Sequence, residues 1–312
     1  MRRRRARHPD LPDLAPIVLF VYNRPEHTRR TLAALAGNPL ARDSDLIIYA
    51  DGPKKPEHAA SVQQARDVAR GASGFRFVRL IERDKNLGLA NSIITGVSEV
   101  CSEHGRAIVV EDDLLVAPQF LTFLNRGLER YADEPNVFQV SGYMFPVPTA
   151  SESDALFLPL ISCWGWGTWQ RAWSQFDPSA AGFSRLERDP ELRARFNLDG
   201  NYDYFGMLKD QAEGRIDSWG VRWLLSVFLK GGLVLYPSRS LVQNVGVDGS
   251  GTHGAGTASL QSDLRVEPDL ARGYERWPSG VELDTAALDR VKHMLSGSRS
   301  RPLIRLIRRL FT

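Results

Sequence analysis

Apolar runs and helical patterns alternate along the first 110 residues. Residues 16–22 (PIVLFVY) are a continuous apolar run followed by Asn23-Arg24-Pro25, which predicts a buried strand turning into a helix that begins with proline. Further apolar runs predict strands at residues 45–50, 75–82 and 107–110. Helical patterns lie between them, up to about residue 36 and at residues 57–70 and 89–104. This alternation predicts an α/β fold with a mostly parallel sheet flanked by helices.

The pattern becomes irregular and aromatic after Gly142. A helix at residues 118–131 and a strand at residues 137–141 come before that point. Further elements are predicted beyond it: an apolar helix at residues 218–230, a strand at residues 233–236 and a mobile glycine-rich loop at residues 246–259. The last helical patterns are at residues 284–295 and 302–311. We expect a mixed second half and C-terminal helices beside the main sheet.

These patterns divide the chain into four parts. The predicted parts are a basic tail (1–15), a first half of the main domain (16–142), a second half (143–260) and a C-terminal helical tail (261–312).

Composition is that of an ordinary soluble globular protein. The 312 residues are 43% hydrophobic and 25% charged, which supports a large core and excludes a disordered, collagen-like or disulfide-stapled chain. Apolar runs are far shorter than the roughly 20 residues that cross a bilayer. Cys101 and Cys163 have no pairing motif, which argues against a disulfide framework and a zinc site. Residues 1–15 lack the apolar segment of a signal peptide, so we expect a cytoplasmic protein.

The net charge of +3 hides an uneven distribution. Five arginines lie in the first seven residues and five in the last fourteen; without these ten, 30 basic residues stand against 37 acidic ones. A nucleic-acid-binding domain carries basic residues on its folded surface, so the acidic body argues against a nucleic-acid partner.

The basic C-terminal pattern is amphipathic. Leu303, Leu306, Ile307 and Leu310 recur at helical spacing, and arginines fill most of the remaining face. A helix at residues 302–311 is therefore predicted to bind an anionic membrane surface reversibly. We expect the protein to be peripheral at the inner face of the cell membrane, the alternative being that this helix packs on its own domain.

Glu111, Asp112 and Asp113 directly follow the fourth predicted strand. Adjacent carboxylates repel one another unless a cation or hydrogen-bond donors compensate them. Divalent ions such as Mg²⁺ take oxygen ligands and commonly use one or two carboxylates plus substrate phosphates. Ligands of parallel sheets bind beyond the carboxyl ends of the strands, where Asn23 and Asp51 also fall. The triplet therefore indicates a metal site, the alternative being that Asp113 caps the next segment while its neighbours are solvated.

Several motifs together resemble a known family. The first group is Asn23-Arg24-Pro25, Asp51-Gly52, residues 83–88 (RDKNLG) with Asn91, and Glu111-Asp112-Asp113. These motifs resemble the nucleotide-sugar-binding half of GT-A glycosyltransferases, with their Rossmann-like sheet, and are similar to the inverting bacterial family two. Residues 109–120 (VVEDDLLVAPQF) also resemble the Golgi N-acetylglucosaminyltransferase that starts complex N-glycans. Three later segments resemble the acceptor half of bacterial sugar transferases. They are residues 163–169 (CWGWGTW), Asp217-Ser218-Trp219 and residues 244–253 (NVGVDGSGTH).

The resemblance implies a donor site at the first strand ends. Asp51 would accept a hydrogen bond from the nucleotide base, and Arg83 and Asn86 would border the base and ribose, with Asn23 beside them. The alternatives are a turn aspartate before glycine for Asp51 and a surface cation for Arg83.

The resemblance also implies a divalent metal, Mn²⁺ or Mg²⁺. Asp112 would contact the ribose and the metal, Asp113 would be the direct ligand, and Glu111 would belong to the donor site in a role that stays open. His253 could complete the coordination or meet the diphosphate, the alternative being a solvent-exposed loop histidine.

Inverting transfer needs a carboxylate that takes the proton from the acceptor hydroxyl. Asp217 is the candidate base, because it precedes a helix between the aromatic segment and the glycine-rich loop. The alternative is that Asp217 is the N-cap of that helix. The rival candidates are Asp203, Asp210 and Asp248.

Trp164 and Trp166 are candidates for acceptor binding, because an indole can stack on the apolar face of a sugar. Trp166, Trp169 and Trp173 are spaced three and four apart, which predicts one helical face. Stripes of this kind are more often part of a core, and this alternative stays open.

The function predicted is a metal-dependent, inverting glycosyltransferase. It would move a hexose-type sugar from a nucleotide diphosphate to a glycan or lipid-linked acceptor. One rival is a sugar nucleotidyltransferase, which would be expected to carry a glycine-rich loop after its first strand. The other rival is a protein on the same fold that binds a glycan precursor or an assembly partner without turnover.

Overall fold

The computed structural model describes residues 13–149, 153–246, 264 and 274–296. The strands are β1 (Ile17–Val21), β2 (Asp45–Ala50), β3 (Phe77–Glu82), β4 (Arg106–Glu111), β5 (Leu114–Val116), β6 (Val137–Ser141), β7 (Ala155–Leu158), β8 (Trp166–Trp169), β9 (Leu233–Pro237) and β10 (Val242–Asn244). The α-helices are α1 (Pro25–Ala36), α2 (Ala59–Arg70), α3 (Leu89–His104), α4 (Phe120–Arg130), α5 (Gln170–Trp173), α6 (Phe183–Arg188), α7 (Pro190–Phe196), α8 (Tyr204–Ala212), α9 (Trp219–Leu229) and α10 (Thr285–Ser296).

Eight of the described strands form one sheet in the order β3-β2-β1-β4-β8-β6-β9-β7. The first four, β3 to β4 in this order, run parallel, and so do β6 and β9. Strand β8 runs antiparallel between β4 and β6, and β7 runs antiparallel at the edge beside β9. All five residues of β1 are buried, as expected for a strand covered on both faces. The predicted α/β fold with a mostly parallel sheet is confirmed.

Most predicted elements in the first half have the expected bounds. Helix α3 ends at Gly105, which has the left-handed φ of 76° that stops a helix without a steric penalty. The prediction of one helical face for Trp166, Trp169 and Trp173 is wrong, because the first two lie on strand β8. Their spacing of three suits a helix, but pairing with β4 and β6 fixes the segment as a strand.

A second, two-stranded sheet lies beside the large one. Strand β10 pairs antiparallel with β5, and Asn244 is opposite Leu114. This register places Val245 next to Asp113, and the Val245 N–H donates to the Asp113 carbonyl at 2.8 Å. The chain that follows β10 therefore starts at the carboxylate triplet.

The last described segment packs on the sheet. The Trp277 ring stacks on Phe123 of α4 with ring centroids 5.5 Å apart, and helix α10 buries Ala287 and Val291. Leu283 forms a bridge with Phe157 of β7, so this segment covers that edge of the sheet. The predicted helix at residues 284–295 is confirmed as α10.

Two other predictions concern residues outside the described ranges. The amphipathic helix at residues 302–311 and the glycine-rich loop beyond residue 246 both lie there. No described helix is long and apolar enough to cross a membrane.

Candidate functional site

The ends of three neighbouring strands form the candidate site. Val21 at the end of β1 is paired with Ala50 at the end of β2, and Phe20 is paired with Glu111 at the end of β4. The residues after these strands therefore share one edge of the sheet. This edge brings together the residues that the sequence assigned to the donor site, as predicted from parallel pairing.

Asp51 is buried and holds the loop that contains Asn86. The Leu87 N–H donates to both Asp51 carboxylate oxygens at 3.0 Å, and the Gly88 N–H donates to one of them at 3.2 Å. The Asn86 side-chain amide donates to the Gly52 carbonyl at 2.9 Å. Asp51 is thus more than a turn residue, because it orders a loop that comes 35 residues later in the chain.

Gly52 lies against the same loop. A Cβ at this position would be 2.7 Å from the Lys85 carbonyl carbon, which is closer than real Cβ contacts allow. The close approach of the two backbones explains why glycine follows Asp51.

Arg83 lies along helix α3. Its guanidinium is 4.9 Å from the centroid of the Tyr49 ring and donates to Thr95 Oγ1 at 3.0 Å and to Ser92 Oγ. Arg83 is thus a half-buried cation held against α3, and its place beside the base stays a prediction. Asn23 is half-buried between β1 and α1, next to Arg24.

One arginine compensates two carboxylates of the triplet. Arg24 Nη2 donates to Asp112 Oδ1 at 3.1 Å and to Asp113 Oδ2 at 2.5 Å. The Tyr22 N–H donates to the other Asp112 oxygen, Oδ2, at 3.3 Å. Asp112 is buried, so the alternative in which the neighbours of Asp113 are solvated is wrong for Asp112.

The Glu111 side chain lies on the face of the sheet opposite to the contacts that Arg24 and Tyr22 make with Asp112. It is paired with Phe20, whose ring packs on Gly96 of α3. Burial raises the pKa of Glu111 well above its usual range, and the charges of Asp113 and Asp112 raise it further.

The pKa values of the ion pair follow from its burial. Burial raises the pKa of Asp112, and the charge of Arg24 opposes this effect. Burial by itself would lower the pKa of the Arg24 guanidinium, but Asp112 and Asp113 outweigh it and raise the pKa above its usual range. Arg24 is therefore a permanent positive charge at the site.

In the sequence, Arg24 is marked only as part of the Asn23-Arg24-Pro25 motif, with no role of its own. The signal was available, since a buried triplet of acids requires a cation or donors, and Arg24 is the basic residue at the neighbouring strand end. What the sequence could not give was the turn into α1 that aims the guanidinium at the carboxylates.

The donor chemistry of the triplet fits a divalent ion. Asp113 Oδ1 accepts no hydrogen bond from the described residues, so it could be an oxygen ligand, with substrate phosphates supplying others. Among the described residues, no group of three His, Cys, Asp or Glu side chains could hold a metal by itself. His253, the other predicted ligand, lies outside the described residues.

Asp217 is not the N-cap of α9. Ser218 has that role, because its Oγ accepts the Val221 N–H at 3.2 Å. The Asp217 side chain is 59% exposed, and its Oδ1 accepts a hydrogen bond from Arg222 at 3.0 Å. The capping alternative for Asp217 is therefore wrong.

The start of α9 lies near the carboxyl edge of the sheet. Trp219, its first residue, stacks on Trp166 with centroids 5.1 Å apart. Trp166 is paired with Val109, two residues before Glu111. Trp219 therefore lies over the strand that leads to the triplet, and no contact joins Asp217 to the triplet among the described residues.

The rival bases in the described residues have structural contacts. Asp203 caps α8 by accepting the Gly206 N–H at 2.9 Å. Asp210 accepts two hydrogen bonds from Arg215, at 2.8 and 2.6 Å. The third rival, Asp248, lies outside the described residues.

Trp164 and Trp166 are both core residues. Trp166 is fully buried between Trp219 and Trp173, and Trp164 packs edge-on against Tyr143 at 4.9 Å. Neither ring has a free face for a sugar in this conformation. The prediction that they stack on an acceptor is not supported, and the core alternative describes both.

A comparison with family models identifies the first half. Residues 17–154 match the family described as Glycosyl transferase family 2. The match confirms the resemblance to family two over this segment and, together with the mixed α/β sheet, the GT-A fold class. A comparison with curated protein sequences finds no match.

Similar solved structures include three glycosyltransferases. The mannosyltransferase PcManGT from Pyrobaculum calidifontis, in complex with GDP-Man and Mn²⁺, is 15% identical over 50% of this chain and 47% of its own, with a TM-score of 0.34. Residues 1–349 of TarS from S. aureus are 12% identical over 51% and 48%, with a TM-score of 0.36. Mouse xyloside xylosyltransferase 1 is 12% identical over 69% and 81%, also at 0.36. The chain spans about half of the first two, and TM-scores of this size carry no argument about function.

Proposed function

We propose that this chain, which has a glycosyl transferase family 2 domain over residues 17–154, transfers a sugar from a nucleotide diphosphate to an acceptor hydroxyl. The observation that supports this most is the shared edge of the sheet. There a loop ordered by Asp51 lies beside the carboxylates of Asp112 and Asp113, within the matched segment.

The nucleotide would bind at the Asp51 side of this edge. A carboxylate has about four acceptor positions, and Asp51 uses three for the Leu87 and Gly88 N–H groups, so one is left for a base N–H. Arg83 and Asn86 would border the base and ribose, with Asn23 on the β1 side. Because the loop is already ordered, little conformational entropy would be lost on binding.

The diphosphate would bind at the triplet. Asp113 would hold a divalent ion, Mn²⁺ or Mg²⁺, and Asp112 would face the ribose and the metal. The ion would supply charge that stabilises the diphosphate as it leaves. Glu111, on the α3 side, would belong to the donor site as well. A contact from His253 stays a prediction.

The acceptor hydroxyl would attack the anomeric carbon opposite the diphosphate, which inverts its configuration. Asp217 would take the proton of that hydroxyl. Its exposed carboxylate can reach an acceptor if it exchanges Arg222 for the hydroxyl. Arg222 is also held by the Ser218 and Pro178 carbonyls, at 2.9 and 3.2 Å, so it would keep its place when Asp217 moves.

A glycan or lipid-linked saccharide is the acceptor that we propose, presented at an anionic membrane surface. The basic helix at residues 302–311 would attach the enzyme there. Deleting residues 299–312 should abolish co-sedimentation with anionic liposomes at unchanged thermal stability. Lower stability with no liposome binding in either form would contradict the attachment.

The test of the proposed function is a screen of nucleotide sugars. The melting temperature of the full chain would be measured with UDP-, GDP- and dTDP-sugars, each with and without Mn²⁺, since a ligand that binds only the native state raises it. We expect metal-dependent stabilisation by one donor group, followed by sugar transfer to glycan acceptors.

The screen also separates the rivals. Stabilisation by a donor or a glycan without any turnover would favour a binding protein. Release of pyrophosphate from a nucleoside triphosphate and a sugar 1-phosphate would show a nucleotidyltransferase instead.

A further inference from the structure

Arg24 lies where a cation is needed, and this has a consequence for how the metal binds. We propose that the Arg24 guanidinium closes the Asp112–Asp113 pair to a free divalent ion, so that the metal binds well only together with a nucleotide diphosphate. This inference rests on the proposed function for the nature of the nucleotide. The first part of its test measures the binding of Mn²⁺ without any nucleotide.

The geometry makes guanidinium and metal competitors. A single nitrogen, Arg24 Nη2, bridges Asp112 Oδ1 at 3.1 Å and Asp113 Oδ2 at 2.5 Å. The two side chains that would hold a metal are thus both engaged by one positive charge. An ion on the free Asp113 oxygen would lie beside that charge.

The guanidinium has little room to move away. The Arg24 side chain is 18% exposed. A Cβ at Gly246 would collide with Asp113 Oδ2 and would be 2.8 Å from Arg24 Nη1. The Gly246 N–H donates to Asn244 Oδ1 at 2.9 Å, which ties this glycine to the end of β10. The backbone at Gly246 therefore lies close to the ion pair and limits the space into which the guanidinium can move.

A diphosphate changes this balance of charge. Two cations at one pair of carboxylates repel each other strongly where the surroundings are partly buried. The negative oxygens of a diphosphate allow both cations to remain. Metal and nucleotide should therefore raise each other's affinity by the same factor, as linkage requires.

The experiment measures Mn²⁺ binding by the full chain from the electron paramagnetic resonance signal of free Mn²⁺. Wild type, Arg24→Gln and Arg24→Lys are compared, each with Mn²⁺ alone and with Mn²⁺ plus UDP, GDP or dTDP. Arg29→Gln is the matched control, since it removes the same charge from helix α1, which begins directly after Arg24, at an exposed pair with Glu26.

With Mn²⁺ alone, Arg24→Gln should bind at least about tenfold more tightly than wild type, and the effect of the nucleotide should shrink by the same factor. Arg24→Lys should fall between them, because an ammonium keeps the charge without the rigid fork. Arg29→Gln should match wild type.

The opposite sign overturns the proposal. If Arg24 only positions the carboxylates for the metal, both Arg24 variants bind Mn²⁺ more weakly than wild type. Equal Mn²⁺ affinity of wild type and Arg24→Gln also contradicts the proposal that Arg24 closes the carboxylate pair. Circular dichroism checks folding, and if Arg24→Gln does not fold, Arg24→Lys gives the sign. If no nucleotide affects wild type, the proposed function fails while the Mn²⁺-only arm still decides the role of Arg24.

Discussion

Two aspartate–arginine pairs lie in the two halves of the molecule, and they differ in which partner is buried. In the first half, the Asp112 side chain is 9% exposed and Arg24 serves it and Asp113 together. In the second half, Asp217 is 59% exposed while its partner Arg222 is 11% exposed and bonded to backbone carbonyls. In the first pair the arginine therefore compensates buried carboxylates, whereas in the second pair the arginine is buried and the carboxylate stays at the surface.

This difference in burial determines whether a substitution in each pair changes stability, activity or both. Removing one member of a buried pair leaves the other charge uncompensated and is costly, whereas an exposed pair contributes about 0–1 kcal/mol. Changes at Asp217 should therefore report chemistry with little effect on stability, and changes around Arg24 should affect both.

Asp113→Asn should have the largest effect. We expect turnover and metal-dependent nucleotide binding to be lost, because an amide of nearly the same shape cannot supply the anionic oxygen that a hard cation requires. Arg24 keeps Asp112 as a partner, so the fold should survive. Activity, nucleotide binding with and without Mn²⁺, and circular dichroism check this, and unchanged metal dependence would contradict the assignment.

Asp217→Asn should lower the transfer rate on the order of 10²–10⁴-fold, the usual contribution of a positioned base. Donor affinity and melting temperature should stay near wild type, since the exposed pair with Arg222 contributes little. Ser218→Ala is the control for the helix start, and it should cost about 1 kcal/mol of stability through the lost cap at unchanged chemistry. Full activity of Asp217→Asn would exclude Asp217 as the base.

Gly246→Ala tests the first pair without changing its charge. Its Cβ would meet Asp113 Oδ2, so we expect the Asp113–Arg24 contact to be displaced and the free energy of unfolding to fall by about 1–3 kcal/mol. Gly280→Ala is the control, because its Cβ would come no closer than 3.8 Å to any atom. Urea unfolding measures both, and equal stability of the two variants would contradict the packing described.

The ion pair between Asp154 and Arg276 is a third case for comparison, and Asp154→Asn should have the smallest effect on stability. Burial by itself would raise the pKa of Asp154, but hydrogen bonds from Arg276 and Glu275 lower it. Its ionised form therefore stabilises the protein above about pH 4, the usual value of an unfolded aspartate, and this contribution is lost as the pH falls through the lower folded value. We expect Asp154→Asn to lose up to about 1 kcal/mol at pH 7 and progressively less as the pH falls below about 4. A loss independent of pH would show that charge is not the cause.

The first half could be predicted well because its signals are local. The apolar run of β2 and the helix α3, with Gly105 at its end, have the expected bounds. Parallel pairing then places Asp51 and the triplet at one edge without further information.

The second half could not be predicted as well, because distant contacts decide it. Trp166 has a helical spacing but is a strand residue, since β4 and β6 pair with its segment. Asp217 precedes a helix, but the cap is its neighbour Ser218. In the first half, the ion pair between Arg24 and Asp112 could not be predicted for the same reason, because it joins residues 88 positions apart in the chain.

The cover over β7 has a consequence for handling the protein. All four residues of β7 are buried, and its outer edge is bridged through Phe157 and Leu283, with the Asp284 N–H donating to the Phe157 carbonyl at 3.0 Å. A chain shortened before residue 274 would uncover an apolar strand with free backbone groups, which is a template for edge-to-edge self-association. We expect a chain that ends before residue 274 to aggregate for a reason unrelated to the candidate site.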